Sequence, residues 1–175
     1  MKKIALIFML ISACAWADAR AGHKHKPRHK EQGLPVHAKA PDIILPSLTG
    51  MDPDANKTNY RYLLINFWAS WSKPSRADVP ALIKTFGKYQ SKGFQVMAVS
   101  IDADIDQWHT AIKSDGTINF IQLNDPAAFN CTYIKRFKVE ELPANFLIDN
   151  EGTIIAKNLH GIELDNELAK LTGGH

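Results

Sequence analysis

A buried strand that passes directly into an amphipathic helix sets the architecture of this chain. Residues 62–68 form a nearly continuous apolar run, which is typical of a strand covered on both faces. Residues 72–89 then show apolar side chains at three- and four-residue steps, which predicts a helix with one face turned to a core. A strand and a helix in this order need a sheet with helices packed against it, so we expect an α/β protein.

Strands and helices alternate through the rest of the sequence. Further strands are predicted at residues 43–48, 94–101, 118–123, 144–148 and 153–157. Further helices are predicted at residues 106–113, around Cys131 and at residues 162–171. The last two strands are joined by Asp-Asn-Glu-Gly at residues 149–152, which indicates a hairpin turn. The pattern predicts an α/β sandwich with a mixed central sheet flanked by helices and with an N-terminal strand extension.

The first predicted helix begins in the segment Trp71-Ser72-Lys73-Pro74-Ser75. Ser72 can accept a hydrogen bond from a backbone N–H as a helix N-cap, and Pro74 suits the first turn, where no N–H is needed. A cysteine at such a position has a lowered thiol pKa and becomes a nucleophile in disulfide exchange. A serine hydroxyl stays protonated at physiological pH and forms no stable bridge with a second serine. The segment therefore predicts helix capping without dithiol chemistry.

Three segments together resemble one protein family. They are residues 67–71 with the helix that follows, residues 139–143 (Val-Glu-Glu-Leu-Pro) and residues 146–152 (Phe-Leu-Ile-Asp-Asn-Glu-Gly). In spacing and context they resemble TlpA/ResA-type thioredoxin-like proteins, which are extracytoplasmic disulfide reductases. The resemblance covers about residues 41–171. It implies a thioredoxin-like sandwich and a family role as thiol-disulfide oxidoreductases in cell redox homeostasis.

The resemblance assigns positions to the residues around the helix start. Ser72 stands where the family has its attacking cysteine and Ser75 where it has the resolving cysteine, while Trp71 and Pro74 match the family. Asp78 lies where an acidic residue is usual near the motif, and it can also complement the positive helix N-terminus. The resemblance therefore implies a redox motif replaced by Ser72-x-x-Ser75, with no confirmed catalytic residue.

The resemblance also implies a binding groove beside the motif. Pro143 takes the place of a cis-proline that faces the active-site helix, and the backbone of Leu142 would pair with extended substrate chain. With Trp71 and Pro74, these residues would offer an apolar surface to an extended peptide or an unfolded client protein. We therefore expect a non-catalytic peptide-binding or chaperone-like module.

The two cysteines, Cys14 and Cys131, open an alternative. Cys131 shares one helical face with apolar neighbours, which predicts a buried small side chain. Alternatively, Cys131 is a lone reactive thiol, through which the chain would act as a thiol-disulfide or peroxide oxidoreductase with an external resolving thiol. Serine hydrolysis is not expected, because the sequence has no G-x-S-x-G elbow and neither His109 nor His160 shows a link to the motif.

The N-terminus has the pattern of a secretory signal. Two lysines precede an apolar run at residues 4–11, and Ala-Trp-Ala at residues 15–17 is an A-x-A cleavage site. The run is too short to span a bilayer, which takes about 20 apolar residues. Residues 1–17 are therefore the predicted signal peptide, and the protein is expected to be exported to the periplasm.

Two other cleavage positions remain open. Residues 11–14 (Ile-Ser-Ala-Cys) resemble a bacterial lipobox, in which cleavage before Cys14 would leave a lipidated cysteine. The protein would then be tethered to a membrane facing the periplasm. Cleavage after Ala21 would release it without a lipid.

Residues 18–40 are rich in basic residues and histidine, which predicts a disordered linker before a thioredoxin-like domain at residues 41–175. His23, His25 and His29 are weak candidates for binding a metal ion, because cysteine and carboxylate ligands are missing around them. No firm metal site and no cofactor are expected. The net charge of +3 is concentrated in this tail and not in an RNA-binding motif, so no nucleic-acid partner is expected either. The sequence leaves the oligomeric state open.

Overall fold

The computed structural model describes residues 32–48 and 60–173, which form one mixed sheet with helices on both faces. The strands are β1 (Tyr62–Trp68), β2 (Phe94–Ser100), β3 (Ile121–Asn124), β4 (Ala144–Asp149) and β5 (Ile154–Lys157). The helices are α1 (Lys73–Tyr89), α2 (Ile105–Asp115), α3 (Thr132–Phe137) and α4 (Ile162–Gly173). The sheet has the order β3-β2-β1-β4-β5, in which β1, β2 and β3 are parallel and β4 is antiparallel to both neighbours. The predicted α/β sandwich is confirmed.

Strand β1 lies at the centre of the sheet and divides the core into two layers. Because successive side chains of a strand point to opposite faces, Ile65 and Phe67 pack on one face with Phe137 of α3. Leu64 and Trp68 pack on the other face with α1, α2 and α4. The apolar run that predicted a doubly covered strand therefore has core on both sides.

The strand predicted at residues 43–48 does not form as a continuous element. Pro46 has no backbone N–H to donate to a ladder, and pairing is reduced to a single bridge between Ser47 and Leu123. A second isolated bridge joins Lys39 to Thr153. The N-terminal extension therefore pairs with the sheet through two isolated bridges and not as a continuous strand.

Residues 32–40 belong to the folded domain, which corrects the predicted linker. The backbone of His37 donates a hydrogen bond to the carbonyl oxygen of Ile154 at 2.7 Å, and Leu34 packs against the core. Gly33 has a φ of +89°, and a Cβ atom there would lie 2.6 Å from the ring of Phe146. Apolar residues between the basic ones give this stretch surface to bury, so disorder was the wrong prediction for it. The compact unit begins at Gln32.

The predictions for the N-terminus lie outside the described residues. They concern the signal peptide, the three cleavage positions with Cys14, the histidines at positions 23, 25 and 29, and the part of the linker before residue 32. Within residues 32–48 and 60–173, no helix combines the length and the hydropathy that crossing a bilayer requires.

Candidate functional site

The two serines of the motif are hydrogen-bonded to each other at the start of α1. Ser72 is the N-cap, and its hydroxyl accepts a hydrogen bond from the backbone N–H of Ser75 at 3.4 Å. The hydroxyl of Ser75 donates to the hydroxyl of Ser72 at 2.8 Å. Both side chains are buried, and Pro74 occupies the first turn. The capping role predicted for Ser72 is confirmed, and the serines hold the helix end by hydrogen bonds alone.

Trp71 precedes the N-cap and is 53% exposed. Its ring contacts that of Phe129, with the ring centroids 6.1 Å apart and a tilt of 49° between the planes. Phe129 is itself 48% exposed and lies in a 3-10 turn, Ala128–Asn130, between β3 and α3. Phe129 was not predicted as a site residue, although an aromatic residue shortly after the turn-forming Asn124-Asp125-Pro126 was the available signal. Trp71 and Phe129 form an exposed aromatic pair beside the motif.

The Leu142–Pro143 peptide bond is cis, as the resemblance implied. Ala144, the first residue of β4, pairs with Phe67 near the end of β1. Pro143 therefore lies near the C-terminal end of β1, where the loop that carries Trp71 begins. The partly buried Leu142 packs against the core layer that contains Phe67. The structure thus brings two separated sequence segments to one end of the central strand.

The loop between β1 and α1 is fixed by a buried carboxylate. Asp102, just after β2, is 1% exposed. Its two oxygens accept hydrogen bonds from the backbone N–H of Ser70 at 3.1 and 3.0 Å, and one also accepts from the Ser70 hydroxyl at 2.8 Å. No role for Asp102 was predicted from the sequence. The contact anchors the residue immediately before Trp71.

His160 is linked to the motif helix through Asp78, a contact that was not predicted from the sequence. The Nδ1 atom of His160 lies 2.5 Å from an oxygen of Asp78. The loop that carries His160 is held by Asn145, whose side-chain amide exchanges two hydrogen bonds of 2.9 Å with the backbone of Leu159. Ser75, Asp78 and His160 line one cleft. The hydroxyl of Ser75 bonds to Ser72, however, so the groups do not form a serine–histidine relay.

Cys131 is fully buried. Burial, and secondarily a hydrogen bond with the Asp125 side chain, raises the pKa of the Cys131 thiol to about 11. The single helix predicted around Cys131 is wrong, because Ala128 adopts a φ of +52° and Cys131 becomes the N-cap of α3 after a separate 3-10 turn. The predicted burial of this thiol is confirmed. Within residues 32–48 and 60–173, no cluster of three metal-ligating side chains is present.

Comparison with known proteins identifies the relatives of this chain. The sequence model of the AhpC/TSA family matches residues 36–157. The thiol-disulfide oxidoreductase ResA of Bacillus cereus is 29% identical over 161 residues, which cover 89% of this chain and 88% of the relative. The thioredoxin-like protein YneN of Bacillus subtilis is 28% identical over 151 residues, which cover 85% and 83% of the two chains.

Solved structures agree with these sequence relatives. The thioredoxin domain of a thiol-disulfide oxidoreductase from Bacteroides vulgatus superposes with a TM-score of 0.73 at 28% identity, covering 79% of this chain and 99% of that domain. A thiol-disulfide oxidoreductase from Bacteroides fragilis gives a TM-score of 0.70 at 33% identity, covering 77% and 99%. The five-strand mixed sheet with its flanking helices is therefore a thioredoxin-like fold.

Proposed function

We propose that this chain, which belongs to the AhpC/TSA family of thioredoxin-like proteins, is an exported binding module for extended peptides or unfolded proteins and does not reduce disulfides. The observation that carries the proposal is the pair of serines, Ser72 and Ser75, bonded to each other at the N-terminus of α1. We assign to them the positions that the relatives' redox cysteines occupy.

The chemistry of the serine pair supports the loss of disulfide exchange. Exchange needs a thiolate that attacks a disulfide sulfur and a second thiol that resolves the mixed disulfide. The chain contains two cysteines, Cys14 and Cys131, so it holds no C-x-x-C pair anywhere. The helix end that would activate a thiol is instead capped by Ser72.

The surface beside the serines supports a binding role. The proposed groove consists of Trp71, Phe129, Leu142 and Pro143. Exposed aromatic rings offer a large apolar area to a partner, and the two rings here are each about half exposed. An extended chain could then add its backbone to that of Leu142 in the manner of strand addition. Because the groove lacks a thiol, it would bind and release chains without covalent capture.

The alternative function through Cys131 has less support. A thiol with a pKa of about 11 is almost entirely protonated at neutral pH, and the thiol form is a poor nucleophile. Cys131 is also inaccessible to a disulfide substrate in the folded chain. Reduction through this residue would require both local opening of the core around Cys131 and an external resolving thiol.

Export is part of the proposal and rests on the signal-like N-terminus. We assign the protein to the periplasm after cleavage at residue 17, with lipid anchoring through Cys14 as the alternative form. Cell fractionation of the parent chain and of Cys14→Ser separates the two, since only a lipidated protein would move from the membrane to the soluble fraction on that substitution.

The experiment that tests the function measures two activities of the purified chain. Reduction of insulin by dithiothreitol is followed with the parent, with Ser72→Cys/Ser75→Cys and with Cys131→Ser. Binding is measured with fluorescein-labelled α-lactalbumin that is reduced and carboxamidomethylated, because this probe stays unfolded and has no free thiol. We expect the parent to bind the probe without accelerating insulin reduction, and the double cysteine variant to accelerate it. A parent that reduces insulin, and loses this activity in Cys131→Ser, would overturn the proposal.

A further inference from the structure

Three parallel strands lead into one polar cluster, which is buried except at Ser70. The cluster consists of Ser70 after β1, Ser100 at the end of β2, Asp102 just after β2, and Asn124 at the end of β3. The hydroxyl of Ser100 donates to the Asp102 carboxylate at 2.6 Å and accepts from the Asp102 backbone N–H at 2.9 Å. The carboxylate therefore joins the ends of β1 and β2.

One arm of the cluster leads to Trp71. Asp102 accepts both the backbone N–H and the hydroxyl of Ser70, the residue directly before Trp71. Two bonds to one residue fix the direction in which the chain leaves β1. The backbone of Trp71 is thus held between the Asp102 anchor on one side and the Ser72 N-cap on the other.

The other arm leads to Phe129. The amide of Asn124 donates to the Ser100 hydroxyl and to the carbonyl oxygen of Asp102, both at 3.1 Å. The next residue, Asp125, donates its backbone N–H to the carbonyl oxygen of Ser100 at 2.9 Å. Its side chain then accepts the backbone N–H of Ala127 at 2.9 Å, at the start of the turn that carries Phe129. The segments that carry Trp71 and Phe129 are therefore both hydrogen-bonded to the same cluster.

Asp102 is only 1% exposed, and burial of a carboxyl group is unfavourable unless hydrogen bonds replace those it makes to water. The donors around Asp102 supply that replacement. The hydroxyl of Ser100 already accepts two hydrogen bonds, so its proton is committed to Asp102. Removal of the carboxylate would leave this hydroxyl and the Ser70 N–H without their acceptor.

From this geometry we infer that Asp102 is a positioning residue for the groove: it fixes the spacing and the orientation of Trp71 and Phe129 without itself reaching the peptide. The inference rests on the proposed function for its effect on binding, whereas the effect on the aromatic pair stands independently. Loosening the cluster should therefore change the environment of Trp71 first and the affinity for an unfolded chain in consequence.

The test uses 5-fluorotryptophan and ¹⁹F NMR on the purified chain, with the Trp71 resonance identified by its loss in Trp71→Phe. In Asp102→Ala we expect the Trp71 resonance to move toward that of a solvent-exposed tryptophan. In the parent, Phe129→Ala should also move it, but in the Asp102→Ala background it should produce little additional change, since the ring contact is already lost. Affinity for the unfolded α-lactalbumin probe should fall about tenfold, which corresponds to about 1.4 kcal/mol.

The matched control is Asp149→Ala. Asp149 also accepts two backbone N–H bonds, from Glu151 and Thr153 at 3.0 and 2.8 Å, but it pairs with Tyr62 at the other end of β1. An unchanged Trp71 resonance in folded Asp102→Ala, or an equal shift in Asp149→Ala, overturns the inference. If Asp102→Ala does not fold, Asp102→Asn is tested by the same criteria, with a smaller expected shift of the Trp71 resonance. If the parent does not bind the probe, the proposed function fails while the fluorine shift still decides the role of Asp102.

Discussion

Replacing Trp71 by alanine should weaken binding of the unfolded α-lactalbumin probe by about ten- to sixtyfold. A tryptophan side chain buries roughly 150–250 Å² when fully covered. Trp71 is 53% exposed, so on the order of 100 Å² of its surface is available to a partner. At about 25 cal/mol per Å², covering this area contributes about 2.5 kcal/mol, which is the upper end of the expected range.

The lower end of the range reflects costs that oppose this gain. Ordering a flexible chain in the groove offsets part of the hydrophobic contribution, and contact with Phe129 leaves one edge of the ring already shielded. The dissociation constant is measured by fluorescence anisotropy of the labelled probe at fixed ionic strength. Because Trp71 is exposed in the free protein, its removal should change the free energy of unfolding only slightly.

Ile118→Ala provides the matched control for this prediction. Ile118 is 59% exposed and lies between α2 and β3, outside the proposed groove, so its substitution removes a similar apolar area without touching the aromatic pair. Its affinity should stay within about twofold of the parent, because surface substitutions away from a site change energies by about 0.5 kcal/mol at most. Equal affinities for Trp71→Ala and Ile118→Ala would refute the argument that the groove carries the binding energy.

Three further predictions concern the fold around the site. Ser72→Ala should lower the free energy of unfolding by about 1 kcal/mol through loss of the N-cap, as measured by urea denaturation, and no loss would contradict the capping role. Gly33→Ala should lower the free energy of unfolding by about 2–4 kcal/mol in the same assay, because it combines a left-handed φ with a Cβ placed 2.6 Å from the Phe146 ring. An unchanged free energy of unfolding would show that residues 32–40 do not pack as described. The raised pKa of Cys131 favours the protonated thiol in the folded state, so its contribution to stability is complete below the unfolded pKa of 9.0 and is lost as pH rises toward about 11. The stability of Cys131→Ser should therefore fall less steeply than that of the parent over this interval in urea titrations, and identical slopes would refute the assignment.

Local sequence signals were sufficient for the elements that bury a periodic face. The apolar run of β1 and the three- and four-residue spacing in α1 each report a physical requirement that a few adjacent residues express together. The turn at residues 149–152 likewise carries its own signal in Asp149 and Gly152, and Gly152 adopts a φ of +79°. These elements appear close to their predicted bounds because packing only reinforced what the local pattern favoured.

Contacts between distant residues could not be predicted in this way. Asp78 and His160 meet although 82 positions separate them, and nothing near either residue encodes the other. The strand predicted at residues 43–48 has the apolar pattern of a strand but does not form one, because Pro46 lacks the backbone N–H that a strand ladder needs. Contacts that form only when the sheet assembles leave no periodic pattern in the sequence. The contacts of Phe129 and Asp102 are of this kind.

Under the proposed function, the hydrogen bond between Ser72 and Ser75 explains how a thioredoxin-like site would keep its shape without redox chemistry. In a dithiol protein the same turn exists in two covalent states, with and without a bridge, and a partner's affinity can differ between them. Here the Ser72 and Ser75 hydroxyls are 2.8 Å apart and joined by a bond that no oxidant makes and no reductant breaks. The turn that Ser72 and Ser75 form therefore has one covalent state at every redox potential. Under the proposed function, affinity for the unfolded probe should be independent of the ratio of reduced to oxidised glutathione, whereas Ser72→Cys/Ser75→Cys gains the covalent switch that the parent lacks.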